Sequence, residues 1–478
     1  MTFSTVSCRK RYTEVSTPEA LPHNRSIIGE AASWVPEALS EEALNQSLAA
    51  RRRAAWNSVS QALRPIALND PATGIPIKDP KTGQDLTIPA WQTWYELDEF
   101  TDMFHMLYWE MLSPTERQNL TSDPVKVDAV MKKFAHQPLD QFWTPKKPGE
   151  TQNRFERLLG QFSGANDVHG INGLTTPSGV TMRGFSLFSP ALIRHYLIHY
   201  SDVRRCVDAG SPVLLGKGFD FATCFGQDFP KDAVAVKTTW AKESDGVSIY
   251  DTSAAGIAKL FLKQDGTWAP AGNAPVVHPK DGEIYRANTF VDDKRSATFM
   301  LTGLHISTKE TPHWLWTTLW WSPEPTSDFG EDRPALSKAG DGGDYYAPWK
   351  HYKMCTVSGY DEKDPAYVDS TDAAGRAQAN QTLLGSTDKS LTAALKSAAH
   401  FASPNTFCSN PFLEIQPGFA TTNCIGCHQH SGLSTISGIQ RPDVARKHQT
   451  FMSDYLWSFD NAQESFRGKI IRVINDVP

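Results

Sequence analysis

The sequence contains no apolar run that approaches the length of a membrane-spanning helix, no internal repeat and no low-complexity tract. Without such a run, we expect a chain with no membrane span. Basic residues are not in excess either, since 47 Lys and Arg face 53 Asp and Glu, for a formal net charge of −6. That balance argues against nucleic acid as a partner.

Cysteine is scarce, with 7 in 478 residues, and one pair has the spacing Cys-x-x-Cys. This pair is Cys424 and Cys427, and His428 follows it directly. Covalent attachment of a c-type haem requires this pattern, because each thiol adds to one vinyl group of the porphyrin and the adjacent imidazole binds the iron. We therefore predict one haem c, with Cys424 and Cys427 as thioether residues and His428 as the proximal ligand.

Two other kinds of site use a Cys-x-x-Cys pair. A structural zinc site needs two further ligands, which His430, His448 or Cys408 could supply. A redox dithiol usually lies at the start of a helix just after a strand. Residues 417–423 have the composition of a loop instead. Covalent haem is therefore the favoured prediction.

The sixth ligand of the iron has several candidates. Met452 is the nearest methionine after the motif, and His448 precedes it by about one helical turn. A methionine would raise the reduction potential, a second histidine would lower it, and an open position would permit ligand chemistry. A residue from the upstream part of the chain and the absence of any protein ligand are equal alternatives. His430 is too close to His428 in sequence to reach the opposite haem face.

The remaining cysteines are odd in number, so at least one has no disulfide partner within the chain. Cys206 with Cys224 and Cys355 with Cys408 are both possible disulfides, and spacing alone does not choose between them. Haem c is normally attached outside the cytoplasmic membrane, yet the first ten residues lack the apolar core of a signal peptide. We expect a periplasmic protein whose export signal has been removed.

Two further groups of polar residues are candidates for chemistry. His195 and His199 are spaced i, i+4 on a predicted helix, so both rings project from one face. The glutamate of a zinc-protease motif is missing between them, so we expect a polar stripe beside a buried face. They are nevertheless the first candidates for a second metal or a distal haem ligand.

The second group surrounds a predicted connection between strands and comprises His305, Lys309, Glu310 and His313. Such a group could line a pocket with an acid, a base and a cation. Connections between strands are polar in most proteins, so we expect solvated loop residues.

The pattern of apolar residues predicts an α+β protein. Helices are expected over 40–63, 91–112, 124–136, 151–162, 190–203 and 373–401, with a connection over 164–184. Strands are expected over 233–240, 247–250, 259–262, 298–306 and 314–321. The expected regions are an extended arm (1–38), a mainly helical region (39–208), a mainly β region (209–372) and a C-terminal haem-binding segment (373–478). A helical N-terminal half would pack on a central antiparallel sheet, with haem c held by the C-terminal segment.

The motif also supports a resemblance. Residues 423–428 (NCIGCH) look like the haem site of c-type cytochromes generally. Residues 305–318 (HISTKETPHWLWTT) and 410–414 (NPFLE) are similar to stretches of large bacterial monohaem proteins of the cytochrome c family. The likeness covers roughly the second half of the chain, but the chain departs from it directly after Thr318, where Leu-Trp-Trp-Ser-Pro replaces a more acidic and His-bearing continuation. It implies haem c and export but no particular reaction.

These observations favour a redox protein that exchanges electrons with a partner protein or acts on a small-molecule substrate. The first alternative is a haem c-dependent oxidoreductase, resembling a peroxidase or an oxygenase, with an open iron site. The length of the chain favours this alternative, since pure electron carriers are usually small. The second alternative is a haem-based gas-binding or sensor protein.

Overall fold

The structure, a computed structural model, describes residues 31–69, 73–78, 83–96, 113–116, 124–137, 139, 161–162, 174–175, 181–199, 228–252, 261–262, 268–269, 275–292, 295–334, 346–358, 408, 410–413 and 424. Within these ranges the protein combines helices with antiparallel sheet, so the α+β class is confirmed. The helix predicted over 373–401 lies outside the described residues.

The helices are α1 (Glu41–Gln46), α2 (Leu48–Ala62), α3 (Pro124–Ala135) and α4 (Pro190–Ile198). The strands are β1 (Pro65–Ala67), β2 (Thr87–Pro89), β3 (Tyr95–Glu96), β4 (Gln161–Phe162), β5 (Leu174–Thr175), β6 (Thr181–Phe188), β7 (Val234–Lys242), β8 (Val247–Ser248), β9 (Phe261–Leu262), β10 (Trp268–Ala269), β11 (Val276–Val277), β12 (Arg286–Asp292), β13 (Arg295–Thr308), β14 (Leu315–Trp321) and β15 (Tyr352–Val357).

Two serines divide the first predicted helix into α1 and α2. The Ser40 side chain accepts a hydrogen bond from the Ala43 amide, as expected for an N-cap. Ser47 has extended backbone angles (φ −137°, ψ 107°), and its side chain accepts from the amide of Ala50. A serine hydroxyl competes for free amides at a helix start, so Ser47 ends one helix and caps the next.

The central sheet has the strand order β15-β14-β13-β7-β6-β3, and all these neighbours are antiparallel. β13 spans 14 residues and pairs along one side with β12 and then with β14. The strands predicted in β7, β13 and β14 are confirmed. The prediction that 164–184 is a connection is wrong where it can be compared, since Leu174–Thr175 form β5 and Thr181 begins β6. The helix predicted over 151–162 is wrong at its end, where Gln161–Phe162 form β4.

The prediction of a helix over 91–112 is wrong for residues 91–96, which are the part of it that the structure describes. Ala90–Thr93 is a short 3-10 turn, and strand β3 follows directly. Residues 97–112 lie outside the described part of the chain. Aromatic residues at helical spacing in this stretch therefore pack into the core from a turn and a strand.

Register assigns the side chains of the sheet to two faces, because residues directly opposite on neighbouring strands point the same way. Leu315 lies on the face that α2 covers, and it packs in one apolar cluster with Ala54 of that helix. Thr318 lies on the opposite face, between His305 of β13 and Cys355 of β15. The first face is covered by α2, and we call the second face, which carries Thr318 and His305, the polar face.

The predicted extended arm is described from residue 31 onwards. Residues 31–38 have neither helix nor strand, but Trp34 is buried. The Trp94 indole donates to the carbonyl of Ala32 at 2.7 Å, and the Trp34 indole donates to Glu310 at 3.1 Å. This part of the arm is thus packed against the body of the protein.

Candidate functional site

A disulfide joins the sheet to the chain that leads into the Cys-x-x-Cys-His motif. Cys355 of β15 is bonded to Cys408, with a Cα–Cα distance of 5.6 Å, and both residues are buried. This selects one of the two pairings that the sequence left open. Cys206 and Cys224 lie outside the described residues. We call Cys408 together with residues 410–413 the docked segment.

Asn410 seats the docked segment on the polar face of the sheet. It is fully buried, and its Nδ2 donates to the Thr318 hydroxyl and to the Leu319 carbonyl, each at 2.8 Å. Its Oδ1 accepts from the Phe412 amide at 2.9 Å. These contacts satisfy both ends of the buried amide, so the side chain has one well-defined orientation.

Glycine is required directly beneath this amide. A Cβ atom at Gly303 would lie 2.7 Å from the Thr239 hydroxyl and 3.2 Å from both terminal atoms of Asn410. The missing side chain lets the docked segment approach the middle of β13. Phe412 extends the contact, since its ring meets that of Tyr250 edge-on with centroids 5.3 Å apart.

Cys424 is the residue of the Cys-x-x-Cys-His motif that the structure describes. It is buried, at 8% exposure, and it belongs to the main apolar core of the described residues, which is rich in aromatic side chains. A buried thiol in an aromatic-rich cluster fits the edge of a porphyrin, which is large, flat and apolar. The other residues singled out in this part of the chain lie outside the described residues: Cys427, His428, His430, His448 and Met452.

A row of polar side chains continues across the same face beyond Thr318. His305 on β13 lies between Thr318 on β14 and Lys237 on β7, and Lys237 in turn pairs with Ser186 on β6. His305 and Lys237 are half-buried, and Ser186 is exposed. We call these four residues the polar row. His305 lies inside the strand predicted over 298–306, and its side chain is half-buried, so the expectation of a solvated loop residue is wrong for it.

The turn between β13 and β14 is buried, so the prediction of solvated loop residues is wrong for Lys309 and Glu310. They are 3% and 2% exposed. Lys309 Nζ donates to the Pro312 carbonyl at 2.7 Å, lies 3.8 Å from Asp228 and sits over the Trp314 ring, 5.6 Å from its centroid.

Glu310 and His313, which the sequence analysis grouped with Lys309, also have specific hydrogen-bond partners. Glu310 accepts from the Trp34 indole, from the Glu37 amide and from the Thr308 hydroxyl. The amide of His313 donates to Glu41 of α1 at 3.0 Å. The arm and α1 thus close over the turn, which is how its acidic and basic groups become buried.

Burial raises the pKa of the Glu310 carboxyl, even though three donors favour its charged form. The folded protein therefore holds this proton more tightly than the unfolded chain does. The contribution of this proton to the free energy of unfolding is fully present below pH 4.5, which is the ordinary pKa of the group. It is lost as pH rises through the higher pKa of the folded state. We expect Glu310→Gln, which mimics the protonated acid, to gain stability relative to the wild type as pH rises.

Chemical unfolding of both proteins between pH 4 and pH 8 measures this difference. Glu310→Ala is the matched control, because it leaves the donors from Trp34 and Glu37 without their acceptor and should destabilise at every pH. A glutamine variant whose stability runs parallel to the wild type over this range would contradict the assignment.

His195 and His199 lie side by side, with ring centroids 4.5 Å apart, so the prediction that they share a helix face is confirmed. His195 is buried against Phe229, again at 4.5 Å between centroids. Within the described part of the chain, no group of three or more His, Cys, Asp or Glu residues is arranged to hold a metal ion. The ring of His195 packs against those of His199 and Phe229.

Burial lowers the pKa of His195 from 6.5 to about 3, with a smaller contribution from neighbouring His199. Asp228 acts in the opposite direction, and Lys309 adds to the lowering. A depressed folded-state pKa means that the associated stability is present above pH 6.5 and is lost as pH falls towards 3. The free energy of unfolding lost over this range is roughly 4–5 kcal/mol, since each unit of difference in pKa corresponds to about 1.36 kcal/mol.

We expect His195→Phe to remove this part of the acid sensitivity. The measurement is the free energy of unfolding at steps from pH 7 to pH 4, where the wild type should lose stability faster than the variant. His199→Asn, one residue beyond the end of α4, is the comparison and should retain most of the wild-type dependence, because burial is the larger cause of the lowered pKa. If the free energy of unfolding fell equally steeply with pH in the wild type and in His195→Phe, a neutral imidazole buried at His195 would be excluded.

None of the helices in the described part of the chain combines the length and apolar character needed to cross a bilayer. The chain matches no protein-family model, no curated protein and no solved structure. Its function is therefore inferred from the motif and from the contacts of the residues around it.

Proposed function

We propose that the protein is a periplasmic monohaem c-type cytochrome that takes part in electron transfer or related redox chemistry. The observation that carries this proposal is the Cys424-x-x-Cys427-His428 motif. The burial of Cys424 supports it, because a thioether residue must lie against the apolar porphyrin edge. The fixed segment upstream supports it as well, since Cys408 and Asn410 tie the approach to the motif onto the sheet.

In this proposal the roles of the residues follow from their chemistry. Cys424 and Cys427 would hold the porphyrin by thioether bonds, and His428 would bind the iron through an imidazole nitrogen. Met452 and His448 are the candidates for the sixth ligand from the C-terminal segment. A bound haem c supplies a one-electron redox centre whose potential depends on the second axial ligand and on the surrounding hydrogen bonds.

The location outside the cytoplasm is part of the same proposal. Disulfides form and persist in oxidising compartments, and the bond between Cys355 and Cys408 is a structural one between buried residues. Attachment of haem c in the periplasm would expose the folding chain to the conditions that this disulfide needs. A redox partner protein or a small-molecule substrate would complete the reaction.

The experiment is production of the full chain in a host that matures c-type cytochromes, followed by denaturation and intact-mass analysis. We expect a mass that exceeds that of the polypeptide by one haem, together with a Soret band in the visible spectrum. A protein that carries zinc on these sulfurs and shows no Soret band would refute the proposal.

A haem c-dependent oxidoreductase is the second candidate, and the polar row favours it. Half-buried His305 and Lys237 are adjacent on the sheet face where the docked segment lies, and such side chains can donate or accept protons beside a substrate. Addition of carbon monoxide to the reduced protein and of peroxide to the oxidised protein separates the candidates. A closed, six-coordinate iron supports electron transfer, and rapid spectral changes support catalysis.

A further inference from the structure

We propose that Asn410 is the positioning residue for the haem-bearing segment, acting through Thr318. This inference rests on the proposed function. It assigns to Asn410 a role in setting the environment of the iron, beyond holding the chain together.

Asn410 and the two residues of β14 that accept its hydrogen bonds, Thr318 and Leu319, form a site that we call the seat. Asn410 is fully buried and gives both amide hydrogens to β14, one to the Thr318 hydroxyl and one to the Leu319 carbonyl. Its oxygen receives the Phe412 amide and so fixes the turn of its own segment. One side chain therefore determines both where the segment lies and how it is oriented.

The surface that receives the Asn410 side chain is shaped by Gly303. Gly303 leaves a hollow in β13, and any Cβ there would collide with the Thr239 hydroxyl at 2.7 Å and press on the Asn410 amide at 3.2 Å. A hollow bounded by two strands allows little lateral movement of the amide. The disulfide at Cys408 limits how far the segment can separate from the sheet, whereas this seat sets its register.

The seat adjoins the polar row, because Thr318 belongs to both. Thr318, which accepts from Asn410, is directly opposite His305, and His305 is directly opposite Lys237. Neighbouring strands are roughly 4.8 Å apart, so the seat lies about one strand from the imidazole and about two from the ammonium group. A change of register at Asn410 would move the docked segment relative to these groups, and hydrogen bonds and charges near a haem tune its potential.

The test compares two substitutions in the seat with one elsewhere in the sheet. Asn410→Asp keeps the size and the acceptor but loses both donors, and Thr318→Val keeps the shape but loses the hydroxyl acceptor. Tyr352→Phe is the matched control, because it removes a buried 2.7 Å hydrogen bond to the Leu301 carbonyl on the face covered by α2. The full chain is matured with haem in each case.

The readouts are the midpoint potential, the visible spectrum and the free energy of unfolding. We expect Asn410→Asp and Thr318→Val to shift the potential and the Soret maximum, while Tyr352→Phe lowers stability and leaves both unchanged. Wild-type potential and spectrum in both seat variants would overturn the inference and leave the proposed function standing. If Asn410→Asp does not fold, Thr318→Val alone decides. A wild-type chain without haem would remove the proposed function and this inference together.

Discussion

Replacing Cys424 and Cys427 together with alanine will abolish covalent haem attachment. Each thiol forms one of the two thioether bonds, so the double variant has no bond by which the porphyrin can survive denaturation. After maturation in the same host, its intact mass should equal that of the polypeptide, and the denatured protein should show no haem absorbance. Either single variant retains one thiol and should carry haem in a reduced fraction of molecules.

The control for this prediction removes a cysteine outside the motif. Cys8→Ala lowers the number of thiols without touching the Cys-x-x-Cys pair, so its haem content should match the wild type. His428→Ala should keep the thioether bonds and change the spectrum, since it removes the proximal nitrogen. A double alanine variant that still holds haem after denaturation would show that other residues attach it.

Replacing Cys355 and Cys408 together with alanine will lower the free energy of unfolding by about 4 kcal/mol at 25 °C. The reason is the loop that this bond closes, since the two residues are 53 positions apart in sequence. Closing a loop of that length removes conformational entropy from the unfolded chain, and the chain-entropy relation gives about 4 kcal/mol. Urea unfolding, monitored by tryptophan fluorescence, measures the change.

The wild type in a reducing buffer supplies the control for the disulfide. If cross-linking causes the effect, the difference between the wild type and the double variant should largely disappear once the wild type is reduced. The variant should also release the docked segment, so proteolysis near Asn410 should be faster than in the oxidised wild type. Equal stability of the oxidised wild type and the variant would show that the bond does not constrain the unfolded chain.

The sequence predicted the strands of the central sheet best where β-branched and aromatic residues are dense, as in β7 and β14. It missed β6, because Gly184 interrupts the pattern and pairs with Thr239 inside the sheet. The α2-covered face was predictable as apolar in general terms, since alternation in a strand marks one buried side.

Burial of charged residues was not predictable from the same patterns. Lys309 and Glu310 have the composition of a solvated turn, but the arm around Trp34 and the aromatic ring of Trp314 cover them. These partners come from distant parts of the chain, and local periodicity carries no information about them. Gly303 is a similar case, because its need for a bare backbone arises from Asn410, far along the chain.

The sequence by itself determined the haem c hypothesis, because two thiols and an imidazole at fixed spacing carry their chemistry in local order. It also determined the α+β class, since hydrophobic period and residue type act over short stretches. Only the tertiary structure decided that Cys355 pairs with Cys408 and that Asn410 lies on Thr318. Those contacts join residues that are remote in sequence, so they exist only when the sheet has formed and brought its polar face against the returning chain.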